Sequence, residues 1–259
     1  MKMCFWNVAG IVNKDKEVWE YLGTFDIIGL TKTWTEESKW ERIKHRLPKE
    51  FDWKCRVARR KGKKGRARGG IITGINKNLK EVEYKELSDD MVERKIRYKG
   101  KTYRIIVVYN RDTKGTWKKI EERIDGREEE VMIIGGDWNA RTGEEGGLIN
   151  EDLGKERSRR SKDRKINTEG RILLKYLDER GWMIIHGRDE EGDEWTYVGE
   201  RGKSVIDYVI GNQEATEEIV EMKVGRRVES DHMPLEIEIE GPEIQRVEER
   251  EEEEKERRE

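Results

Sequence analysis

The chain contains only two cysteines, Cys4 and Cys55, so it has no disulfide framework and no cysteine metal site, and a reducing compartment fits. It has no stretch of about 18 apolar residues, so no membrane-spanning helix is expected. The N-terminus, MKMCFWNV, enters a strand pattern at once, so no signal peptide is expected. Apolar residues are scarce, at 33% of 259, and charged residues make up 43%. Typical values are roughly 45–50% (counting glycine) and about 25%. The core must therefore be lean and the surface heavily charged. Net charge is only −2, so bulk charge names no partner. No internal repeat is found.

Periodic apolar segments nevertheless run through most of the length, which argues against disorder. Met3 to Val8 reads as a first strand, and Asp15 to Leu22 has helical spacing. Asp26 to Leu30 is the next strand and leads directly into Lys32. A short helix is expected over Lys39 to Leu47, then strands over Trp53 to Val57 and Gly69 to Ile75, with Val82 to Leu87 pairing with the latter. Glu93 to Tyr98 and Thr102 to Tyr109 read as a hairpin turning at Lys99-Gly100. A helix over Thr116 to Ile124 precedes a strand over Val131 to Ile134, which Gly135-Gly136 interrupt. Asn167 to Arg180 is a helix with a stripe of Ile172, Leu173, Tyr176 and Leu177 and a stop at Gly181. Later strands cover Trp182 to Ile185, Trp195 to Val198 paired with Ser204 to Ile210, Val220 to Val228, and Leu235 to Ile239. Many strands in hairpin-like pairs with few helices imply an α+β fold. The architecture is a four-layer α/β sandwich, two packed, mainly antiparallel sheets flanked by helices. One domain is expected over residues 1–240. Residues 241–259, rich in glutamate and basic residues, read as a charged tail or frayed helix.

Polar residues recur at strand ends: Asn7, Lys32, Tyr109, Asp137 with Asn139, Asp207, and Asp231 with His232. A sandwich gathers its strand ends along one edge, so these side chains can converge. Asp137 and Asn139 share a face if the chain stays extended, and can then hold a water and a phosphate oxygen or a hard cation. The same pair also reads as an Asx-rich turn. A lone histidine is usually structural. His232, however, sits beside Asp231, and Asp207 lies in an otherwise apolar strand where a buried carboxylate needs a partner. An aspartate bonded to a histidine fixes its tautomer and favours the imidazolium, which can stabilise charge on a phosphate. Asn7 and Asp231 offer oxygens to a magnesium ion. Together these residues suggest metal-assisted phosphodiester hydrolysis. Two basic clusters, RVARRKGKKGRAR from Arg56 and KERSRRSKDRK from Lys155, are either solvated loops or sites that attract a polyanion such as nucleic acid.

The ordered motifs WNVAG, IIGLTKTW, GGI, the strand ending at Tyr109-Asn110, GGDWNARTG, RRSKDR with NTEG, TY with GKSVIDY, and SDHMP resemble the endonuclease/exonuclease/phosphatase superfamily. They are most like the apurinic-type endonuclease domain of non-LTR retrotransposons, over Met1 to about Glu240. The resemblance implies a nuclease that nicks one DNA strand with Mg²⁺ (or Mn²⁺), needs no small-molecule cofactor, and works inside the cell, in the nucleus if genomic DNA is its target. It makes Asn7, Asp231 and the position of Lys32 the metal site, and places Tyr109 against the scissile phosphate. Asp137 becomes the base, Asn139 its partner, and His232, held by Asp207, the group that stabilises the transition state. Arg160, Ser161, Thr196 and Ser204 fall where related nickases contact DNA phosphates.

One position departs from the pattern. Where the family carries a glutamate ligand, this chain has Lys32. An ammonium only donates and cannot ligate Mg²⁺. Two unit charges about 4 Å apart interact by roughly 4 kcal/mol at an effective dielectric near 20. Metal affinity, and with it nicking, is therefore expected to be severely weakened. The alternatives are a catalytically silent nucleic-acid-binding module and a phosphatase of the same superfamily.

Overall fold

A computed structural model describes every residue except 61, 63–64, 124–129, 148, 151–154, 157–158, 187–194, 201, 227–228 and 241–259. The charged tail expected over 241–259 lies outside the described residues, as do parts of both basic clusters.

Two six-stranded sheets carry the fold. The first contains β1 (Lys2–Asn7), β2 (Ile27–Thr31), β3 (Phe51–Arg56), β4 (Ile71–Asn76), β15 (Ile219–Val224) and β16 (Leu235–Ile239), in the order β15-β16-β1-β2-β4-β3. The second contains β5 (Lys80–Ser88), β6 (Met91–Tyr98), β7 (Lys101–Tyr109), β8 (Val131–Asp137), β11 (Met183–Ile184) and β14 (Asp207–Gly211), in the order β11-β14-β8-β7-β6-β5. Each sheet has one parallel pair, β1 with β2 and β7 with β8, and is otherwise antiparallel. Two ribbons, β9 (Ile149–Asn150) with β10 (Lys155–Glu156) and β12 (Tyr197–Gly199) with β13 (Gly202–Ser204), stand apart from the sheets. Helices α1 (Lys16–Leu22) and α2 (Glu37–Lys44) cover the first sheet. Helices α3 (Thr113–Glu121) and α4 (Thr168–Arg180) cover the second, and α5 (Gln213–Glu218) leads into β15.

The central strands β1, β2, β4, β7, β8 and β14 are mostly apolar on both faces because both faces are covered. Along β1, Met3 and Phe5 enter the core between the sheets, while Cys4 and Trp6 enter the core beneath α1 and α2. Along β7, Ile105 and Val107 face the first sheet, and Ile106 and Val108 pack with Trp117 of α3 and Leu173 of α4. Three apolar cores thus separate four layers, as the sequence predicts. The composition is lean enough that ion pairs enter these layers. Arg94 is 1% exposed and meets Glu81 and Thr73, and Arg104 pairs with Glu93 at 2.6 Å.

Local signals set the helix ends. The Asp15 side chain caps α1 by accepting from the Val18 amide, and Asn167 caps α4 by accepting from Gly170 at 2.7 Å. Gly181 ends α4 with a φ of 63°, a conformation that glycine takes without strain.

Three sequence expectations need correction. Gly135 and Gly136 do not interrupt β8, which continues through them to Asp137. They are small because space there is taken. A Cβ on Gly135 would lie 2.2 Å from the Phe5 ring, and one on Gly136 would lie 2.0 Å from the Val108 carbonyl oxygen. The segment over 82–87 belongs to β5 and pairs with β6 in the second sheet, not with β4, whose partners are β2 and β3. Ser204 to Ile210 is two strands, not one. The Ile206 backbone turns out of the ladder, donating to Thr196 Oγ1 and accepting from the Trp138 amide, so β14 can pair with β8.

Candidate active site

Sheet register gathers the chemistry. Parallel pairing aligns Tyr109 of β7 with Asp137 of β8, and antiparallel pairing aligns Asp137 with Asp207 of β14. The second sheet therefore presents Tyr109, Asp137 and Asp207 in one row. In the first sheet, Asn7 of β1 lies beside Thr31 of β2, immediately before Lys32. His232 precedes β16, and its backbone carbonyl accepts from the Trp6 indole at 2.9 Å. The edges of the two sheets meet where Asn7 Nδ2 donates to Asp137 Oδ2 at 2.7 Å.

Asp137 is the hub of this cluster and is fully buried. Its Oδ1 accepts from the Asn139 backbone amide at 3.0 Å. On the Oδ2 side stand His232 Nε2 at 3.8 Å and Lys32 Nζ at 3.9 Å. Burial and then the neighbouring Asp207 push its carboxyl up to about 6, against the pull of His232, Lys32 and the Asn139 amide. His232 Nδ1 lies 3.0 and 2.9 Å from the two Asp207 oxygens. Burial acts to lower the imidazole, but the Asp207 charge, its hydrogen bond and the Asp137 charge outweigh burial, and the result is a raised value. An imidazolium next to Asp207 and an ammonium next to Asp137 balance the two carboxylates.

The structure thus brings together Asn7, Lys32, Tyr109, Asp137, Asn139, Asp207 and His232. The route to Asn139 differs from the one expected. Asn139 is not a strand residue sharing a face with Asp137. It has a φ of 49° and is exposed, and its amide side chain donates to the Asn110 carbonyl at 2.9 Å. Asparagine tolerates this left-handed conformation. The Asx-turn reading of the pair therefore holds, and the turn presents the Asn139 backbone N–H to the Asp137 carboxylate.

Of the residues expected at DNA phosphates, Thr196 is placed otherwise. It is fully buried, and its hydroxyl accepts from the Ile206 and Asp207 amides at 3.0 and 3.1 Å. It therefore positions the carboxylate that holds His232. Ser161 is 7% exposed and bonds with the Asp163 backbone, Ser204 is nearly buried at the end of β13, and Arg160 is exposed. The first basic loop closes as a hairpin through reciprocal Arg59–Arg68 backbone bonds at 3.1 and 2.9 Å. Arg60 pairs there with Glu36, and Arg56 with Glu86 and Asp89. Arg66 stacks on Trp34, with its guanidinium carbon 3.3 Å from the ring centroid.

Sequence reasoning did not assign Asn110, Ser230 or Lys14. Asn110 Nδ2 donates to the Trp138 carbonyl at 2.6 Å and fixes the turn after β8. Ser230 Oγ donates to the Asn7 carbonyl at 2.8 Å and accepts from the His232 amide at 3.2 Å, tying β1 to the His232 turn. Their only sequence signal is a polar residue at a strand end or before the Asp-His pair. Lys14, 6% exposed, donates to the Glu229 carbonyl. Burial lowers its ammonium, opposed by Glu229, Asp231 and Asp15.

Two groups are candidates for a divalent ion. Asp137, Asp207 and His232 each bring a ligand atom to within 4.8 Å of the others. All three are buried, however, and the His232–Asp207 contact is already a hydrogen bond, so a Mg²⁺ ion with its several retained waters does not fit between them. The second group is Asn7, Asp231 and the Lys32 position. Asp231 Oδ1 is buried without a hydrogen-bond partner, as a cation ligand would be. Asn7 Oδ1 already accepts from the Ala9 amide at 3.2 Å, and the third position presents the Lys32 ammonium. The residues present do not fit Mg²⁺ at this place.

The model of the endonuclease-reverse transcriptase family matches residues 103–236, more than half of the chain. The chain belongs to this family. The match spans β7 to the start of β16 and so includes Tyr109, Asp137, Asn139, Asp207 and His232. Solved structures of the wider endonuclease/exonuclease/phosphatase superfamily share the fold. The Xenopus laevis APE2 catalytic domain aligns with a TM-score of 0.68 and 16% identity over 92% of this chain and 91% of that one. The endonuclease domain of TRAS1, a telomere-specific non-LTR retrotransposon, aligns at 0.62 and 18% over 92% and 97%. The AP endonuclease LMAP from Leishmania major aligns at 0.69 and 14% over 93% and 88%. No curated protein sequence matches the chain.

Proposed function

We propose that the chain is a DNA-directed phosphodiesterase of the nicking type, of retrotransposon origin, whose metal-binding half is disabled by Lys32. The carrying observation is the continuous buried chain from Asn7 through Asp137, beside His232, to Asp207. Asp137, with a carboxyl value near 6, suits a general base that takes a proton from a water at neutral pH. His232, held as an imidazolium by Asp207, sits where charge on a phosphate oxygen would be met. Tyr109 stands beside this group, its ring centroid 5.0 Å from the Lys32 ammonium. Exposed Arg160 is proposed as a backbone-phosphate contact, whereas Ser161 and Ser204, at 7% and 9% exposed, are poorly suited to that role. In the ancestral arrangement a Mg²⁺ or Mn²⁺ ion would supply the remaining positive charge. Here no step passes through it.

A supercoiled-plasmid nicking assay with Mg²⁺ on the wild-type protein and on Lys32→Glu tests this reading. Nicking by Lys32→Glu alone supports it. If neither protein nicks, the nuclease reading fails. Equal nicking by both would show that Lys32 does no harm.

A further inference from the structure

We propose that the cleft takes a nucleic-acid phosphodiester without a divalent ion, the Lys32 ammonium being the fixed cation that meets the phosphate. The inference rests on the preceding reading of the cleft as a phosphodiester site. It concerns what supplies the positive charge there.

Four observations carry it. The Lys32 Nζ lies 3.9 Å from Asp137 Oδ2, close enough for charge pairing but too far for a hydrogen bond. The side chain is 27% exposed, so its three N–H donors can reach an anion from solvent. Second, the backbone aims the side chain into the cleft. Lys32 has a φ of 50°, a conformation costly for a lysine, and Trp34 has one of 55°. Four backbone hydrogen bonds hold this turn: Gly10 to Lys32, Ile11 to Thr33, Thr33 to Gly70 and Trp34 to Gly69, all between 2.9 and 3.1 Å. Third, the ammonium rests 5.0 Å from the centroid of the Tyr109 ring, which also carries the Arg111 guanidinium at 5.3 Å. The Tyr109 ring thus carries two cations; Arg111 is also paired with Asp90 at 2.8 Å, which leaves Lys32 as the one turned toward Asp137. Fourth, of the two side chains expected to ligate a metal, Asn7 is already engaged within the protein, and only Asp231 Oδ1 has no hydrogen-bond partner. Asn7 uses Nδ2 on Asp137 and Oδ1 on the Ala9 amide. An incoming dication would also meet the ammonium directly.

The test uses the full chain and a short fluorescein-labelled DNA duplex, with affinity read by anisotropy at one ionic strength in EDTA or in Mg²⁺. The proposal predicts that wild-type affinity is no higher in Mg²⁺ than in EDTA. Lys32→Gln should weaken binding about tenfold in both, the expected loss of one charge-assisted hydrogen bond. Lys32→Arg should retain most of it, and Lys32→Glu should bind only with Mg²⁺. A Mn²⁺ titration followed by electron paramagnetic resonance reads the metal directly: the wild type leaves the free-ion signal unchanged, and Lys32→Glu reduces it. Tighter wild-type binding in Mg²⁺, no DNA binding in either condition, or wild-type affinity in a folded Lys32→Gln would each overturn the proposal. The two claims separate cleanly. Failure of Lys32→Glu to nick sinks the nuclease reading, whereas a wild-type affinity that rises with metal sinks this one.

Discussion

Replacing Asp207 with asparagine isolates the pair that holds His232. Both partners are about 2% exposed, and Nδ1 lies 2.9 to 3.0 Å from the carboxylate oxygens. Breaking a buried ion pair by removing one partner costs about 3–5 kcal/mol. The asparagine carbonyl can still accept from Nδ1–H, so a loss nearer ~2–3 kcal/mol is expected. The loss should depend on pH, with a sign set by linkage. The native His232 value is raised above 6.5, so its contribution to stability is fully present below 6.5 and fades as pH rises through the native value. Without the Asp207 charge, burial dominates and lowers the imidazole, and the variant then loses stability as the solution becomes acidic. Urea unfolding at about pH 5.5 and about pH 8.5 should show a gap between wild type and Asp207→Asn that is larger in acid. A histidine NMR titration, assigned with His232→Gln, should show the His232 midpoint falling from above 6.5 to below it. An unchanged midpoint, or an equal gap at both pH values, would refute the argument.

Gly136→Ala should destabilise by at least ~2 kcal/mol in urea unfolding, because its Cβ would meet the Val108 carbonyl oxygen at 2.0 Å and φ is 143°. A wild-type midpoint would show that β7 and β8 are not packed as described. Arg94→Ala should cost ~2–3 kcal/mol by removing a buried guanidinium that holds Glu81 (22% exposed) and Thr73, and a cost below ~1 kcal/mol would mean that water replaces these contacts. Nicking by Lys32→Glu should fall as pH drops from neutrality, because Asp137 stands at about 6 with Lys32 beside it and loses that cation's lowering pull in the variant. A rate that stays flat as pH drops would exclude Asp137 as the base.

The layers of the fold were legible because strands covered on both faces must be apolar throughout, and the runs IIVV of β7 and VMII of β8 say so directly. Polar residues closing those runs marked the cleft. Pairing was less legible. The segment over 82–87 alternates well enough for any edge strand, and only the long-range register puts it beside β6 instead of β4. The break between β13 and β14 depends on Thr196 catching the Ile206 and Asp207 amides, a contact that no local pattern announces. For the same reason Thr196 looked like a surface contact and proved to be an internal support. Period-two reasoning placed Asn139 beside Asp137 by assuming an extended chain, whereas the φ of 49° delivers its backbone amide instead. Lys32 stood out in the sequence as a departure. Its distance to Asp137 and its seat on Tyr109 belong to the folded chain alone.

The central claim is that the half of the site built by Asp137, His232 and Asp207 is chemically intact and that Lys32 alone withholds activity. Mg²⁺-dependent nicking by Lys32→Glu, compared with the double variant Lys32→Glu/Asp137→Asn, tests this most directly. Measurable nicking that falls by a factor of about 10² or more when Asp137 is also replaced is the predicted result. Nicking that survives the loss of Asp137, or none at all in a folded Lys32→Glu protein, would contradict it.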